Sequence, residues 1–409
     1  MGSMIHLAVG CLEIDWGKNS LFHDHSPLFQ ASDLTRVPYR YVEDDADTYI
    51  DELGEERRTL KIEYKDGLSK PLEDVVDRIR LIGHTLDVCR KEFAWLSQRY
   101  EFDLKGFHFE DLEAALFAVE VEKVSGDYGE GEDFGEFFRR QIAPRLRIED
   151  HQSDVSCAME NLSAYTILQL LARNPQAKSL PVIWHFADVE EGGWVDRSEF
   201  VGGLASNLRF LVVTEGSSDA KIIKHAFGVL RPHIADFFTF VDMEEGYPFG
   251  GAGNLYRFVK GMISISIQND AIVLYDNDAE GVANYARSCQ LNIPENMRVL
   301  KLPDQDFFEQ FPTIGPSGRH LANINGQAAA IECYLSLSKD ALVRWTSYNE
   351  GLDAYQGALV GKALVMKAFL NQKERDPQYD YSRIEALLDL IVNSCIEMRE
   401  ATLSDQYES

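Results

Sequence analysis

Runs of consecutive apolar residues alternate with helical spacing in the second half of the chain. Four of these runs have the length of one strand each: Leu208–Thr214, Phe237–Val241, Ala271–Tyr275 and Arg298–Leu302. Continuous hydrophobicity is typical of strands that are buried on both faces of a parallel sheet. The alternation therefore predicts an α/β domain over residues 204–310, in which helices cover a parallel sheet.

The flanking regions show other patterns. Thr59–Tyr64 alternates apolar and polar residues like a half-buried strand, and Leu72–Trp95 carries apolar residues at helical spacing. We expect both to belong to an N-terminal α+β domain over residues 4–203. Beyond residue 310, three segments show helical spacing: Gln327–Leu337, Ala358–Leu370 and Tyr381–Leu403. They predict a mostly helical C-terminal extension over residues 311–409.

Composition narrows the functional classes. The chain has 409 residues, 45% of them hydrophobic, which is enough for two or three domain cores. Asp and Glu outnumber Lys and Arg by 67 to 40, so the formal net charge is −27. The electrostatic field of so negative a protein repels polyanions. Nucleic-acid binding would therefore need a local basic strip, a metal bridge or a partner subunit. The six cysteines form no CxxC pair, which fits a reducing cytoplasm, and no apolar stretch is long enough to span a membrane.

Acidic residues follow two of the predicted strands. Glu215 ends the first of these runs and precedes Asp219 by four residues, while Asp276 and Asp278 follow the third run. Parallel strands present their carboxyl ends at one edge of a sheet, so we expect the four carboxylates there together. Taken singly, Asp278 reads as a helix N-cap and Asp219 as a first-turn acid that complements the helix dipole. Two pairs in one domain favour a cation site, and oxygen donors select hard divalent ions, with Mg²⁺ first and Mn²⁺ as the alternative.

These motifs resemble the Toprim domain, the catalytic module of topoisomerases, DnaG-type primases and several nucleases. The family pattern is an apolar strand ending in Glu with Asp four residues later, then a strand ending in Asp-x-Asp, often with a following Gly, here Gly281. The resemblance covers roughly residues 205–305. It implies a Toprim Rossmann-like sheet, Mg²⁺ held by Asp276 and Asp278, and Glu215 as a metal ligand or general acid/base in phosphodiester cleavage or transfer.

Two later residues bear on the branch of that family. Topoisomerases need a nucleophilic tyrosine on a separate domain and primases need a zinc module, and neither is visible in the sequence. Glu332 and Lys362 resemble the late Glu and Lys of the overcoming-lysogenization-defect (OLD) nucleases. By that resemblance Glu332 binds a second metal and Lys362 stabilises charge on the reacting phosphate. The alternative for Glu332 is an exposed acid on an amphipathic helix.

A glycine-rich segment adjoins the best candidates for a basic strip. Gly246–Gly253 precedes a helix that carries Arg257 and Lys260, and a phosphate could rest at that helix N-terminus. Arg319, after the last predicted strand, completes the candidate nucleic-acid-binding set. The segment lacks Gly-Lys-Ser/Thr, so it is not a P-loop. Its alternative interpretation is a flexible strand-to-helix connection.

The N-terminal region carries a second resemblance. Met4–Gly10, Trp16–Asn19 and Asp188–Trp194 are similar to stretches of the N-terminal domain that accompanies HEPN or Toprim modules in bacterial proteins associated with anti-phage defence. Arg78 and His84 nominally fit the Arg-x(4–6)-His pattern of HEPN ribonucleases. Because such spacing arises readily by chance in a helix, we interpret these two residues as structural.

Our leading hypothesis is a cytoplasmic, Mg²⁺-dependent Toprim endonuclease that cuts DNA in anti-phage defence, as a homo-oligomer or in complex with another defence protein. In that case the helical extension completes the catalytic domain. RNA, such as tRNA, is the second choice of substrate. The rival hypothesis is a non-catalytic Toprim subunit that acts as a sensor or scaffold. The net charge favours this rival, whereas the retention of all four motif acids favours the enzyme.

Overall fold

A computed structural model describes most of the chain, in the following ranges: 2–42, 47–50, 56–99, 107–124, 134–146, 158–241 and 250–408. The chain divides into two compact units. Unit 1 comprises Met1–Ala205 and Arg399–Ser409, and unit 2 comprises Ser206–Met398. Within the described ranges, no helix combines the length and the apolar character needed to cross a membrane.

Unit 1 is built on a five-stranded antiparallel sheet. The strands of unit 1 are β1 (Met4–Val9), β2 (Leu12–Lys18), β3 (Leu34–Val42), β4 (Thr48–Ile50), β5 (Glu56–Arg58), β6 (Leu60–Pro71) and β7 (Pro181–His185). The sheet order is β2-β1-β7-β6-β3, and β4 pairs with β5 separately. Its helices are α1 (Leu72–Leu81), α2 (Leu86–Arg99), α3 (Phe109–Phe117), α4 (Phe134–Phe137), α5 (Ala164–Leu171), α6 (Ala187–Glu191) and α7 (Arg197–Val201).

The helical pattern predicted over Leu72–Trp95 is observed as two helices rather than one. Gly83 lies between α1 and α2 and adopts a positive φ of +99°. This left-handed conformation interrupts a right-handed helix, and glycine adopts it without steric penalty. A side chain there would also lie 2.8 Å from the backbone oxygen of Arg399. The break is therefore required by both backbone conformation and packing.

Unit 2 contains the remaining elements. Its strands are β8 (Phe210–Thr214), β9 (Phe238–Phe240), β10 (Ala271–Tyr275), β11 (Asn277–Asp278), β12 (Met297–Lys301), β13 (Phe311–Gly315), β14 (Gly318–Ala322), β15 (Ala328–Ala329), β16 (Val343–Asn349) and β17 (Ala354–Leu359). Its helices are α8 (Ser217–Leu230), α9 (Ala252–Ser264), α10 (Ala279–Ser288), α11 (Lys362–Leu370) and α12 (Ser382–Glu408), the last of which continues into the residues assigned to unit 1.

The parallel sheet of unit 2 has the order β12-β10-β8-β9, and all three of its pairings are parallel. The four apolar runs identified in the sequence supply these four strands, so the prediction of a parallel sheet within a mixed α/β protein is confirmed. Every residue of the central strand β10 is buried. Complete burial explains why this strand is apolar throughout instead of alternating.

The prediction of a mostly helical region after residue 310 is wrong for its first half. A second sheet, of order β14-β13-β16-β17, occupies most of residues 311–359. The predicted helix at Gln327–Leu337 is instead the short strand β15 followed by a 3₁₀ turn at Ile331–Tyr334. The alanine-rich sequence favours a helix, but pairing of β15 with β11 and burial of the turn on all sides override that local preference.

The predicted helix at Ala358–Leu370 starts later than expected. Leu359 ends β17, and Gly361, at φ +75°, separates this strand from α11. Helix α11 therefore begins at Lys362, which places the lysine singled out in the sequence at a helix N-terminus. The last predicted helix, Tyr381–Leu403, is confirmed as α12.

Candidate functional site

Two neighbouring strands bring the acidic motifs together. Strands β8 and β10 pair in parallel with Thr214 opposite Leu274, so Glu215 and Asp276 leave the sheet at the same edge. The backbone N–H of Asp276 donates a hydrogen bond of 2.9 Å to Oε1 of Glu215. The two motifs, about sixty residues apart in sequence, are therefore in direct contact.

Asp219 lies in the first turn of α8 and is held by its neighbours. Its Oδ2 accepts a hydrogen bond of 2.9 Å from the backbone N–H of Gly216, and its Oδ1 accepts one of 3.1 Å from the hydroxyl of Ser218. Gly216 is extended, at φ −148°, and turns the chain from β8 into α8. Asp219 thus performs the helix-start role that is its structural alternative, while it remains buried beside Glu215.

Asp278 likewise caps a helix. Its Oδ1 accepts a hydrogen bond of 2.7 Å from the backbone N–H of Gly281, at the start of α10. A side chain at position 281 would lie 2.3 Å from the backbone oxygen of Asp276 and 2.8 Å from Oε1 of Glu215. Only glycine avoids these close contacts, and it therefore allows α10 to start close against the acidic residues.

Glu332 and Lys362 reach the same place from the later part of the chain. Glu332 is buried in the 3₁₀ turn after β15, and its Oε1 lies 3.6 Å from Nζ of Lys362 at the start of α11. The charges of both residues act on Asp219, since Glu332 raises its pKa and Lys362 lowers it. We call Glu215, Asp219, Asp276, Asp278 and Glu332 the acidic cluster.

Crowding of the acidic cluster disfavours ionisation of its members. Burial raises the pKa of Glu215 to about 8, opposed by the hydrogen bond from Asp276 and reinforced by the charges of Asp278 and Asp219. Burial and the charge of Glu332 raise the pKa of Asp219 to about 6. The pKa of Asp276 lies well above its ordinary value, through burial and then through the charges of Asp219 and Glu215. Buried like charges of this kind are relieved by a cation.

The donor chemistry of the acidic cluster fits Mg²⁺, which prefers carboxylate oxygens. The present positions of the side chains do not form a ready metal site. Across the described part of the chain, no three His, Cys, Asp or Glu side chains are gathered so that they could hold a metal ion as they stand. Asp219 and Asp278 are turned toward backbone N–H groups at helix starts.

Asn277 is a positioning residue whose role we did not foresee from the sequence. It is fully buried, its Nδ2 donates to Oδ1 of Asp304 at 2.9 Å, and its Oδ1 accepts from the backbone N–H of Gly326 at 2.9 Å. These bonds anchor the segment between Asp276 and Asp278. The sequence feature that could have indicated this role is the position of Asn277, a polar residue between two acids directly after an apolar strand.

The basic residues proposed from the sequence lie on two separate elements. Arg257 and Lys260 are exposed on α9, whose N-terminal Gly251 donates its N–H to the backbone oxygen of Glu215 at 3.2 Å. Arg319 is exposed on β14, in the second sheet. Of the glycine-rich segment, residues 246–249 lie outside the described residues.

Arg78 and His84 have structural environments in unit 1. The buried Arg78 guanidinium donates from Nε to the backbone oxygen of Pro27 at 2.9 Å and from Nη2 to that of Phe29 at 3.0 Å. The His84 ring packs edge-on against Tyr165, with ring centroids 4.8 Å apart, and burial lowers its pKa to about 4. Both observations support the structural interpretation of this pair.

Comparison with known protein families gives a match over the first half of the chain. The family model described as HEPN/Toprim N-terminal domain 1 matches residues 1–207. No curated protein and no solved structure matches the chain.

Proposed function

The chain belongs to the HEPN/Toprim N-terminal domain 1 family, and from this membership together with the acidic cluster we propose that it is a metal-dependent, Toprim-type endonuclease. The family suggests a nuclease-like role. The more specific proposal of a metal-dependent endonuclease depends on one observation. Five acidic side chains lie together at the carboxyl edge of a parallel sheet, where α/β proteins bind ligands.

Mg²⁺, or Mn²⁺ in its place, is the proposed cofactor. Glu215, Asp219, Asp276, Asp278 and Glu332 would hold it, in one site or two. When bound, the ion polarises a phosphate oxygen and activates water for in-line attack. The mutual repulsion of the carboxylates supports this assignment, since crowded buried acids lower stability unless a cation neutralises them.

The chain's own groups have separable roles in this proposal. Glu215 either binds the metal or serves as general acid or base. In the second role, burial raises its pKa to about 8, so that it can hold or release a proton near neutral pH. Lys362 keeps an exposed ammonium group beside the buried Glu332 and can stabilise charge on the reacting phosphate. Asn277 holds the two aspartates that flank it in position through its bonds to Asp304 and Gly326.

DNA is the proposed substrate, by the resemblance to OLD nucleases, and RNA such as tRNA is the second candidate. We further propose a cytoplasmic role in anti-phage defence, as a homo-oligomer or with another defence protein. The rival, a non-catalytic sensor or scaffold, draws support from the net charge of −27 and from the capping roles of Asp219 and Asp278.

The test is a cleavage assay on plasmid, single-stranded DNA and total tRNA with Mg²⁺, Mn²⁺ or EDTA. We expect metal-dependent cleavage that Glu215→Ala or Asp276→Ala slows at least about 100-fold, the size seen when one charge-stabilising group is removed from an active site. Glu295→Ala is the matched control, because Glu295 is exposed and precedes β12 at the opposite edge of the sheet.

The outcomes separate the hypotheses. Cleavage that survives both active-site substitutions would refute the assignment of the site. Absence of cleavage of every polymer with either metal would favour the sensor or scaffold. Preference for tRNA over both DNA forms would exchange the first and second substrate candidates.

A further inference from the structure

A groove lies between helices α8 and α11 in unit 2, apart from the acidic cluster. Its volume is about 810 Å³, and it is lined by residues from α8 and from the end of α11 and its following turn, among them Lys221, Lys224, His225, Gly228, Leu370 and Lys373. We call it the α8–α11 groove. Lys224 and Lys373 are exposed at its walls.

The charge of this region is opposite to that of the whole chain. Residues 217–231 and 360–373 contain six basic residues and one acid, Asp219, although acids far outnumber bases overall. The basic residues are Lys221, Lys224, Arg231, Lys362, Lys367 and Lys373. Of these, Arg231 pairs with Asp389 and Lys362 with Glu332. Lys221, Lys224 and Lys373 line the groove, and none of the residues that the structure places along it is acidic. The α8–α11 groove is therefore a local basic surface on a strongly acidic protein, which is what binding of a polyanion requires.

Both helices that line the groove begin beside the acidic cluster. Helix α8 begins two residues after Glu215, and α11 begins at Lys362 beside Glu332. The helices then run side by side, since Nε2 of His225 donates to the backbone oxygen of Phe369 at 3.0 Å and their rings pack 5.0 Å apart. His225 is eight residues into α8, so the groove lies about 12 Å along the helix from the cluster. That distance is about three to four steps of a nucleic-acid strand at 3.4 Å per step.

Gly228 supports a role in binding. Glycine destabilises a helix relative to alanine, so a glycine within α8 calls for an explanation. Packing does not provide one, because a side-chain carbon at Gly228 would meet no atom within 4 Å. A larger residue would instead project into the groove. The glycine thus keeps the groove open at the expense of helix stability.

We propose that the α8–α11 groove binds the phosphate backbone of the polynucleotide whose scissile bond lies at the acidic cluster. This inference rests on the proposed nuclease function. Lys224 and Lys373 make the phosphate contacts, and the open surface at Gly228 admits the strand. In this proposal the set expected from the sequence, Arg257, Lys260 and Arg319, makes no phosphate contact.

The experiment measures binding without cleavage. Fluorescence anisotropy of labelled single-stranded DNA, duplex DNA and RNA oligonucleotides is recorded in EDTA at several salt concentrations. For the double variant Lys224→Gln/Lys373→Gln we expect at least tenfold weaker binding and a slope of log K against log salt that is shallower by about 2, one unit for each lost phosphate contact. The matched control Arg257→Gln/Lys260→Gln removes the same charge from α9 and should change affinity less than twofold.

Gly228 provides a test that does not alter the lysines. Gly228→Ala should raise the melting temperature and leave affinity within twofold, because one carbon fits in the open space. Gly228→Glu should fold equally well and weaken binding at least tenfold, since it fills the groove and adds a negative charge. Comparison of the DNA and RNA arms identifies which polymer the groove accepts.

Failure of this inference can be distinguished from failure of the proposed function. Wild-type binding by the lysine pair variant and by Gly228→Glu would overturn it, even if metal-dependent cleavage were intact. So would an equal loss in the α9 control, or no binding of any oligonucleotide at low salt. If the lysines serve only the helix C-terminal dipoles, their variants will lose stability and keep affinity, which would also overturn it. Loss of cleavage in Glu215→Ala with normal binding in EDTA would leave both assignments standing.

Discussion

The two units bury polar groups in contrasting ways. In unit 1, Arg78 donates to the backbone oxygens of Pro27 and Phe29, and buried Glu92 accepts hydrogen bonds of 2.7 and 2.9 Å from the N–H and the hydroxyl of Ser163. Both of these buried charges have partners of complementary character. A buried charged group that is paired in this way lowers the stability of the fold little and holds its elements together. Removal of one partner leaves the other buried and unpaired, which destabilises the fold strongly.

In unit 2 the buried acids have one another as neighbours. Glu215 and Asp219 receive backbone N–H bonds, but burial and then the charges of nearby carboxylates raise the pKa values of Glu215, Asp219 and Asp276. The arrangement lowers stability, which is typical of sites that bind a ligand. The contrast teaches that buried charges of unit 1 such as Arg78 and Glu92 are paired, whereas crowded like charges lie at the edge that we propose as the functional site.

The largest expected effect is the loss of a paired charge in unit 1. Arg78→Met keeps most of the side-chain volume but leaves two buried carbonyl groups without their donor, at about 1–3 kcal/mol each. We expect the free energy of unfolding to fall by about 4 kcal/mol, measured by urea denaturation. Arg80→Met is the control on the same helix. Arg80 forms an exposed ion pair of 3.7 Å with Asp77, and the loss of such a pair should cost less than about 1 kcal/mol. Similar losses for the two variants would contradict the comparison.

The pH dependence of stability should have opposite signs in the two units. Burial lowers the pKa of His84 from 6.5 to about 4. As the pH falls below 6.5 the unfolded state therefore binds the proton first, and unit 1 loses up to about 3 kcal/mol by pH 4. Burial raises the pKa of Glu215 from 4.5 to about 8. The unfolded state therefore ionises first as the pH rises, and unit 2 loses stability between pH 4.5 and 8.

Tryptophan fluorescence can separate these two responses. Trp345 is the single tryptophan within the sequence range Ser206–Met398, so the Trp345→Phe variant reports on unit 1, and the difference from the wild type reports on unit 2. His84→Gln should flatten the acid side of the unit 1 curve, and Glu215→Gln the alkaline side of the unit 2 curve. Shifts of both units in the same direction would refute the assignment of these groups.

A divalent cation should stabilise unit 2 alone. At 100 times its dissociation constant, Mg²⁺ is expected to add about 2.7 kcal/mol, measured as a rise in the unit 2 melting temperature. The rise should be greater at pH 8 than at pH 5, because protonated carboxyls do not bind metal. Asp276→Ala should abolish it. An equal rise in both units would show that the ion acts through general screening.

The parts of the site that follow from local sequence were predictable. Each acid pair comes directly after a continuous apolar run, and complete burial of strands such as β10 makes that pattern unambiguous. The environment of Glu332 was not predictable, because its alanine-rich segment has the propensity of a helix and is held extended by pairing with β11. The α8–α11 groove depends on packing of two helices far apart in sequence. Its one local signal was Gly228, a glycine inside a helical pattern.

The smallest expected effect is that of removing one charge from the acidic cluster, which tests the repulsion between its carboxylates directly. Because the folded-state pKa of Asp276 is raised, the contribution of its carboxyl to stability is complete below the ordinary value of 3.8 and is lost as the pH rises. Asp276→Asn retains the shape without the charge, so without metal it should stabilise unit 2 by about 1–2 kcal/mol at pH 8 and by almost nothing at pH 4.

Asp304→Asn provides the opposite case on a neighbouring segment. Hydrogen bonding to Lys301 lowers the pKa of Asp304, so its charge is favourable and the substitution should give no gain at either pH. Equal responses of the two variants in urea denaturation would mean that the acidic cluster is compensated like the buried charges of unit 1. A gain for Asp276→Asn alone, together with loss of Mg²⁺ stabilisation, would identify this carboxylate as one that the fold retains for cation binding rather than for stability.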